Sequence, residues 1–128
     1  MGGVQRKLVL VVDDDEAVRS LVTKTLQAKG YEVQQAANGM AASELLGTME
    51  RQPDLLICDV MMPLVDGYSL VRLLRTHAEL KSMPIIFLTA RTQPEDLVIG
   101  INLGARHYVQ KPFKLQELID KVERSLLR

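Results

Sequence analysis

The fold is decided by the segment Leu8–Asp15, which reads LVLVVDDD. Its five apolar residues are consecutive valines and leucines, which predicts a strand buried on both faces. From about Glu16 to Lys29 the apolar residues recur at helical spacing, and Gly30 ends that helix. A buried strand that leads directly into an amphipathic helix is the repeating unit of a parallel sheet.

This strand–helix pattern repeats along the chain. Further strands are predicted at Tyr31–Ala36, Asp54–Cys58, Ile85–Leu88 and Tyr108–Val109. Further helices are predicted around Ala41–Met49, after Asp66–Gly67, from Pro94 to near Gly104, and over Leu115–Leu127. Strands separated by helix-sized crossovers predict an α/β fold in which helices cover both faces of a parallel sheet. In such sheets the ligand site lies beyond the carboxyl ends of the strands.

The composition indicates one domain with its own core, because 47% of the 128 residues are hydrophobic. We expect a tail at residues 1–6 and a folded domain over residues 7–128. Sixteen basic and sixteen acidic residues cancel, so no direct contact with nucleic acid is expected. Membrane insertion is not expected either, since no apolar run approaches the roughly 20 residues that cross a bilayer. The single cysteine, Cys58, permits no intrachain disulfide and favours a cytoplasmic location.

Polar residues gather where the predicted strands end. Asp13–Asp15 follow the first strand, Asp59 the third, Thr89 the fourth and Lys111 the fifth. Because these strand ends share one edge of the sheet, we expect the four sites to lie close together. Carboxylates without a nearby histidine favour Mg²⁺, a hard cation that shares a substrate phosphate. A divalent ion, a lysine and a hydroxyl around one carboxylate form a site for a phosphoryl group.

Each of these residues alone also fits a structural role. Asp15 is expected to cap the first helix through its side-chain oxygen. Asp59 fits a turn, Thr89 a hydrogen-bonded strand end, and Lys111 a solvated side chain. Their joint occurrence at four predicted strand ends favours the phosphoryl site. Cys58 precedes Asp59 on the same strand, so its side chain is expected to point the opposite way, into the core.

These motifs resemble the receiver domains of two-component response regulators. They read VVDDD, CDVMMP, DG, LTA and YVQKPF, at Val11–Asp15, Cys58–Pro63, Asp66–Gly67, Leu88–Ala90 and Tyr108–Phe113. The resemblance covers essentially the whole chain. It implies a flavodoxin-like (βα)5 three-layer sandwich whose parallel sheet has the strand order 2-1-3-4-5. It also implies a self-phosphorylating signalling domain, not an enzyme, that accepts phosphate from a histidine kinase or a histidine phosphotransfer protein.

The resemblance assigns roles to the acidic residues. It makes Asp59 the phosphoacceptor. Asp13 and Asp14 become the acidic pair that holds Mg²⁺, or Mn²⁺, together with Asp59 and the backbone carbonyl of Met61.

The remaining motif residues are implied to sense the phosphoryl group. Thr89 and Lys111 contact its oxygens, and the Lys111–Pro112 peptide bond is expected to be cis. Thr89 is drawn towards the new oxygens, and Tyr108 fills the space that Thr89 vacates. This exchange changes the surface formed by helix four, strand five and helix five.

Two side chains are expected to set the lifetime of the phosphorylated state. By the same resemblance, Met61 and Arg91 flank the path of the hydrolytic water. A thioether accepts hydrogen bonds weakly and a guanidinium only donates them, so neither activates the attacking water. We therefore expect slow self-hydrolysis.

The predicted fourth helix is unusually apolar and indicates a partner surface. Its large apolar residues are Leu97, Val98, Ile99, Ile101 and Leu103. Val98 is expected to lie in the core, whereas Leu97 and Ile101 are candidates for contact with an unidentified output partner. Receivers of the winged-helix class pair through a lysine at position 97 and acidic residues at positions 106 and 107. Here those positions hold Leu97, Arg106 and His107, which favours a hydrophobic contact instead.

Two other functions remain as alternatives. A receiver-like module that binds partners without phosphorylation does not require the joint presence of the acidic residues, Thr89 and Lys111. A Mg²⁺-dependent aspartyl-phosphate phosphatase has an Asp-x-Asp-x-Thr loop after its first strand, whereas this chain has Asp13–Ala17, which reads DDDEA. Nucleotide binding is disfavoured because no glycine-rich loop follows the first strand.

Overall fold

The computed structural model describes residues 5–90 and 93–127, in which five strands alternate with five α-helices. The strands are β1 (Leu8–Val12), β2 (Glu32–Ala36), β3 (Leu55–Asp59), β4 (Ile85–Thr89) and β5 (His107–Gln110). The helices are α1 (Glu16–Ala28), α2 (Gly39–Thr48), α3 (Gly67–Leu74), α4 (Pro94–Asn102) and α5 (Leu115–Leu126). A short 3₁₀ helix, Ala78–Leu80, lies between α3 and β4 and was not predicted from the sequence. No helix in these ranges is long and apolar enough to span a membrane.

All strands are parallel, and the sheet has the order β2-β1-β3-β4-β5. This confirms the predicted flavodoxin-like architecture. The chain moves outward in one direction from β1 to β2 and in the other from β3 to β5, so β1 and β3 flank the point where the order reverses. In sheets of this kind the crevice at that point is the usual ligand site. Here Val12 lies opposite Cys58, and Asp59 lies opposite Leu88, so the ends of β1, β3 and β4 are adjacent.

Two apolar clusters cover the two faces of the sheet. On one face, Val22 of α1 and Leu118 of α5 pack with alternate residues of the central strands. On the other face, Leu46 of α2 and Leu70 of α3 pack with the intervening residues. Cys58 belongs to this second cluster and is fully buried, as predicted. The central strands have apolar residues on both sides because both sides are covered.

Three helices begin at a residue whose side chain accepts backbone N–H groups. Asp15 accepts from the first turn of α1, which confirms its predicted role as a cap. Asn38 and Asp66 act in the same way at α2 and α3. These bonds satisfy N–H groups that have no acceptor within the helix. The caps therefore determine where the chain turns from each strand end into the next helix.

The prediction for Val98 is wrong, because its side chain is 53% exposed. The buried residues of α4 are Asp96 and Gly100. The reason is tertiary: α4 packs over Tyr108, and a Cβ at Gly100 would overlap the Tyr108 hydroxyl oxygen. Because Gly100 has no side chain, α4 can approach Tyr108 closely at that position, and the branched side chain of Val98 is exposed to solvent.

Candidate functional site

The polar residues that follow β1, β3, β4 and β5 meet at the carboxyl edge of the sheet. Asp13 and Thr89 are 0% exposed, and Asp59 is 4% exposed. Asp13 directly follows β1, whereas Asp59 and Thr89 are the last residues of β3 and β4. The backbone N–H of Lys111 donates to the Thr89 carbonyl oxygen at 2.9 Å, which carries the pairing of β4 and β5 up to the site.

Three carboxylates form an acidic cluster at this edge. One oxygen each of Asp13, Asp14 and Asp59 lies within 4.8 Å of the others. Asp13 and Asp59 are buried, whereas Asp14 is exposed and faces the solvent side of the cluster. Hard oxygen donors at this separation fit a small divalent cation such as Mg²⁺. The backbone N–H of Met61 donates to the Asp59 carboxylate at 3.2 Å, and the Met61 residue is 52% exposed.

The ammonium group of Lys111 lies between two of these carboxylates. Its Nζ is 2.8 Å from Asp13 Oδ2 and 3.5 Å from Asp59 Oδ2. Burial by itself lowers the pKa of Lys111, but the hydrogen bond and the charge of Asp13, with the charge of Asp59, raise it overall. Lys111 therefore stays protonated. The peptide bond to Pro112 is cis, as the resemblance implies.

The pKa of Asp59 is strongly raised. Burial, together with the negative charge of Asp13, raises the pKa of Asp59 from 3.8 to about 7, although Lys111 opposes the shift. A buried carboxylate beside another carboxylate is costly to ionise. A cation at the cluster lowers that cost, and the displaced Asp59 pKa is a second reason why these residues fit a metal ion.

The loop after β1 is stabilised by a residue that the sequence patterns did not identify. Arg19 of α1 donates from Nη1 to the backbone carbonyl of Asp13 at 2.8 Å. The Asp13 carboxylate in turn accepts the Asp15 backbone N–H at 2.9 Å. Both bonds hold the acidic loop in place without neutralising the carboxylates. The helical spacing places Arg19 on α1, but no local motif shows that it reaches back to Asp13.

Tyr108 lies beside the site, on β5 opposite Phe87 of β4. Its ring is partly buried, and its hydroxyl oxygen is 3.0 Å from that of Tyr68. Tyr68 is buried at the start of α3 and is a second residue that sequence reasoning missed. A crevice of about 540 Å³ runs between the loop after β3 and α4, and Tyr68 and Ile99 line it.

Of the remaining predicted residues, Leu97 and Ile101 lie on α4 and His107 begins β5. Arg91 falls outside the described residues. On α4, Leu97 is partly buried and Ile101 is 64% exposed. His107 is partly buried, and burial, followed by the charge of Lys121, lowers the pKa of this histidine.

Comparisons with known proteins agree with this fold. The family model described as the response regulator receiver domain matches residues 9–123. The chain is 39% identical to the DNA-binding dual master transcriptional regulator RpaA of Synechocystis, over 94% of this chain and 48% of that protein. It is 41% identical to the transcriptional regulatory protein GltR of Pseudomonas aeruginosa, over 94% of this chain and 49% of that protein. The chain thus spans about half the length of these curated relatives.

The fold is similar to that of solved structures as well. The chemotaxis protein CheY4 of Vibrio cholerae superposes with a TM-score of 0.89 and is 36% identical. The match covers 95% of this chain and 100% of that chain. At this coverage, the likeness extends over the sheet and the helices.

Proposed function

The chain belongs to the receiver domains of two-component response regulators, and on that premise we propose that Asp59 accepts a phosphoryl group from a phosphohistidine donor in a Mg²⁺-dependent reaction. The observation that carries the proposal is the position of Asp59. The residue is 4% exposed, and its carboxylate lies beside Asp13 and Asp14 and is 3.5 Å from the ammonium group of Lys111. A structural aspartate has no need of this combination of burial, like charge and one shared cation.

Asp59 is the nucleophile of the transfer. A carboxylate oxygen of Asp59 attacks the phosphorus, an O–P bond forms, and the P–N bond to the donor imidazole breaks. The electron pair of that bond leaves with the imidazole nitrogen, and the proton that neutralises it comes from the solvent. Lys111 and Thr89 then contact the oxygens of the transferred group, because both belong to the strand ends that border Asp59.

The acidic cluster is proposed to hold the metal. Asp13, Asp14 and Asp59 supply carboxylate oxygens, and the backbone carbonyl of Met61 completes the protein ligands. Mg²⁺, or Mn²⁺ in its place, supplies charge that offsets the repulsion between the carboxylates and the phosphoryl oxygens. Asp14 is exposed, so the cluster is open to solvent on the side from which a donor approaches.

Phosphorylation is proposed to act as a switch. The new group adds roughly one to two negative charges and three acceptor oxygens next to Thr89 and Lys111. Thr89 turns towards them, and Tyr108 moves into the space beside Thr89. The surface of α4, β5 and α5 changes as the two states exchange populations.

The proposed partners follow from this reaction. The donor is a histidine kinase or a histidine phosphotransfer protein, and an output partner contacts α4 through Leu97 and Ile101. We place the domain at residues 7–128 and in the cytoplasm, without membrane insertion or direct nucleic-acid contact. It acts as a signalling domain that modifies itself, not as an enzyme with a separate turnover substrate.

Intact-mass spectrometry with phosphoramidate tests the assignment of Asp59. Phosphoramidate contains the P–N bond of phosphohistidine and needs no donor protein. With Mg²⁺ we expect one added phosphoryl group, and with a chelator none. Asp59→Asn should abolish the addition, whereas Asp120→Asn, which changes an exposed carboxylate on α5, should not.

Two results would contradict this proposal. An added phosphoryl group on the Asp59→Asn protein would place the acceptor elsewhere. No addition to the wild-type protein would leave the phosphorylation-independent interaction module, for which the exposed apolar side chains Val98 and Ile101 of α4 are the supporting observation.

The phosphorylated state is proposed to be long-lived. The thioether of Met61, two residues after Asp59, accepts hydrogen bonds weakly, and Arg91 can only donate them, so neither orients the hydrolytic water. The double change Met61→Asn with Arg91→Glu should shorten the half-life, since each 1.4 kcal/mol of transition-state stabilisation speeds hydrolysis about tenfold. A wild-type half-life of seconds, or a double variant that loses phosphate no faster, would show that these positions do not control hydrolysis.

A further inference from the structure

The hydroxyl groups of Tyr68 and Tyr108 meet against α4. Their oxygens are 3.0 Å apart. Both hydroxyls reach the backbone carbonyl oxygen of Asp96, which lies 2.8 Å from the Tyr68 oxygen and 3.1 Å from the Tyr108 oxygen. The Tyr108 hydroxyl also lies 3.4 Å from the Leu97 carbonyl oxygen. The two phenols and the first turn of α4 therefore form one hydrogen-bonded cluster, which holds the Tyr108 ring against the helix.

The Tyr108 hydroxyl is tightly packed against α4. A Cβ at Gly100 would overlap it, so α4 leaves just enough room for the phenol. Phe87 contacts both rings: its centroid is 5.0 Å from that of Tyr68, edge to face, and 5.6 Å from that of Tyr108. Tyr68 is itself 7% exposed. The ring of Tyr68 packs against Phe87, and its hydroxyl contacts Tyr108 and the backbone of α4.

Tyr68 is also connected to the backbone of the Asp59 segment. The residue before it, Gly67, donates its N–H to the Val60 carbonyl oxygen at 2.9 Å. A Cβ at Gly67 would overlap the Asp59 carbonyl oxygen, so the first residue of α3 rests directly on the end of β3. Gly67 therefore joins Tyr68 directly to the backbone at the end of β3.

We propose that Tyr68 is a positioning residue of the switch, which holds Tyr108 on α4 while Asp59 is unmodified and connects Asp59 to α4 through α3. This inference rests on the proposed function, because it requires that a change at Asp59 moves Tyr108. Lys111 is paired with Asp13 and Asp59 in this structure, as expected for the unmodified site. A group that binds at Asp59 and moves Tyr108 must break the bond to Tyr68, so the Tyr68 hydroxyl opposes the switch.

The substitution Tyr68→Phe tests the inference, because it removes the hydroxyl and keeps the ring that packs on Phe87. Beryllofluoride with Mg²⁺ serves as the phosphoryl mimic, and amide chemical shifts report the midpoint of its titration. One hydrogen bond is worth about three- to tenfold in an equilibrium, so the midpoint of Tyr68→Phe should fall by about that factor. Tyr31→Phe is the matched control, since Tyr31 packs on the opposite face of the sheet and should leave the midpoint unchanged.

The same substitution in a Tyr108→Phe protein shows whether Tyr68 acts through Tyr108. In a Tyr108→Phe protein the hydroxyl pair is already broken, although the Tyr68 hydroxyl still donates to the Asp96 carbonyl oxygen, so adding Tyr68→Phe should lower the midpoint by less than it does in the wild-type background. The inference is overturned if Tyr68→Phe leaves the midpoint unchanged or raises it. It is equally overturned if the decrease is as large in the Tyr108→Phe background.

A measurement without the mimic separates this inference from the proposed function. Burial raises the pKa of Tyr108, and the hydrogen bond with Tyr68 opposes that increase. In protein labelled with ¹³C at the tyrosine Cζ, Tyr68→Phe should therefore raise the pKa of Tyr108 further. No response of the wild-type protein to beryllofluoride would contradict the phosphoacceptor role of Asp59, whereas an unchanged pKa of Tyr108 would contradict the contact with Tyr68.

Discussion

Acidic residues lie at both edges of the sheet, in surroundings that differ. At the amino edge, the Asp54 carboxylate accepts the Leu8 backbone N–H at 2.8 Å, and the Asp54 N–H donates to the Leu8 carbonyl at 2.8 Å. At the carboxyl edge, Asp13 and Asp59 face one another and share the ammonium group of Lys111. The first arrangement satisfies each polar group, and the second leaves two buried like charges with one cation.

The difference indicates which edge stabilises the fold and which carries its chemistry. A carboxylate that accepts a buried N–H contributes to stability. Two buried carboxylates side by side reduce stability until a cation or a proton relieves them. Opposite effects on stability are therefore expected when the carboxylate of each edge is removed.

The largest effect is expected for Asp59→Asn, which should raise the free energy of unfolding at neutral pH and above. Asp59 has a pKa near 7 in the folded chain and an ordinary value of 3.8. From about pH 4 to pH 7 the unfolded chain loses this proton while the folded chain keeps it, so wild-type stability falls as the pH rises. Above about pH 7 the full difference is present, with an upper limit of about 4 kcal/mol.

Urea unfolding without divalent ions at pH 8 and near pH 4 measures this effect. The stabilisation by Asp59→Asn should be large at pH 8 and small near pH 4, where Asp59 is protonated in the folded chain and the unfolded chain has only begun to lose the proton. Asp120→Asn controls for the loss of one negative charge. If Asp59→Asn instead destabilises the protein at pH 8, the ionised Asp59 carboxylate does not reduce the stability of the folded chain.

At the amino edge, Asp54→Ala should lower the free energy of unfolding by about 1–2 kcal/mol. The change leaves the buried Leu8 N–H without its side-chain acceptor. Asp54→Asn keeps an acceptor oxygen and should recover most of the loss. If both variants are as stable as the wild type, the hydrogen bond that Asp54 accepts does not stabilise the fold, and the contrast between the two edges is wrong.

A smaller effect is expected from the metal itself. Mg²⁺ at ten times its dissociation constant should stabilise the wild-type protein by about 1.4 kcal/mol, because it binds the folded state. The shift should be smaller for Asp59→Asn, which lacks one proposed ligand, and unchanged for Asp54→Asn. Thermal unfolding with and without Mg²⁺ gives the comparison, and equal shifts in Asp59→Asn and wild type would exclude Asp59 as a ligand.

The sequence predicted the strands well, for a physical reason, and the family resemblance implied their order. Leu8–Val12 and Ile85–Leu88 are apolar throughout, which happens when both faces of a strand are covered. The residues after such strands must lie at one edge of a parallel sheet. For that reason the meeting of Asp13, Asp59 and Lys111 could be anticipated from spacing and resemblance together.

The sequence predicted the α4 helix, but not which of its residues are buried or the contacts that cross between elements. Helical periodicity placed Val98 in the core, but the buried positions are Asp96 and Gly100, which face Tyr108. Gly100 makes room for Tyr108 of β5, and the sequence of α4 alone contains no pattern that indicates this contact. Arg19 was missed for the same reason, since its bond to the Asp13 carbonyl depends on how α1 leaves the sheet.

The most direct test of the phosphoacceptor role identifies the modified residue itself. After reaction with phosphoramidate and Mg²⁺, borohydride reduces an aspartyl phosphate to homoserine, which peptide mass spectrometry locates. We predict homoserine at position 59, with none at positions 13 or 14. Homoserine at either of those positions, or at none of the three, would contradict the assignment of Asp59 as the residue that receives the phosphoryl group.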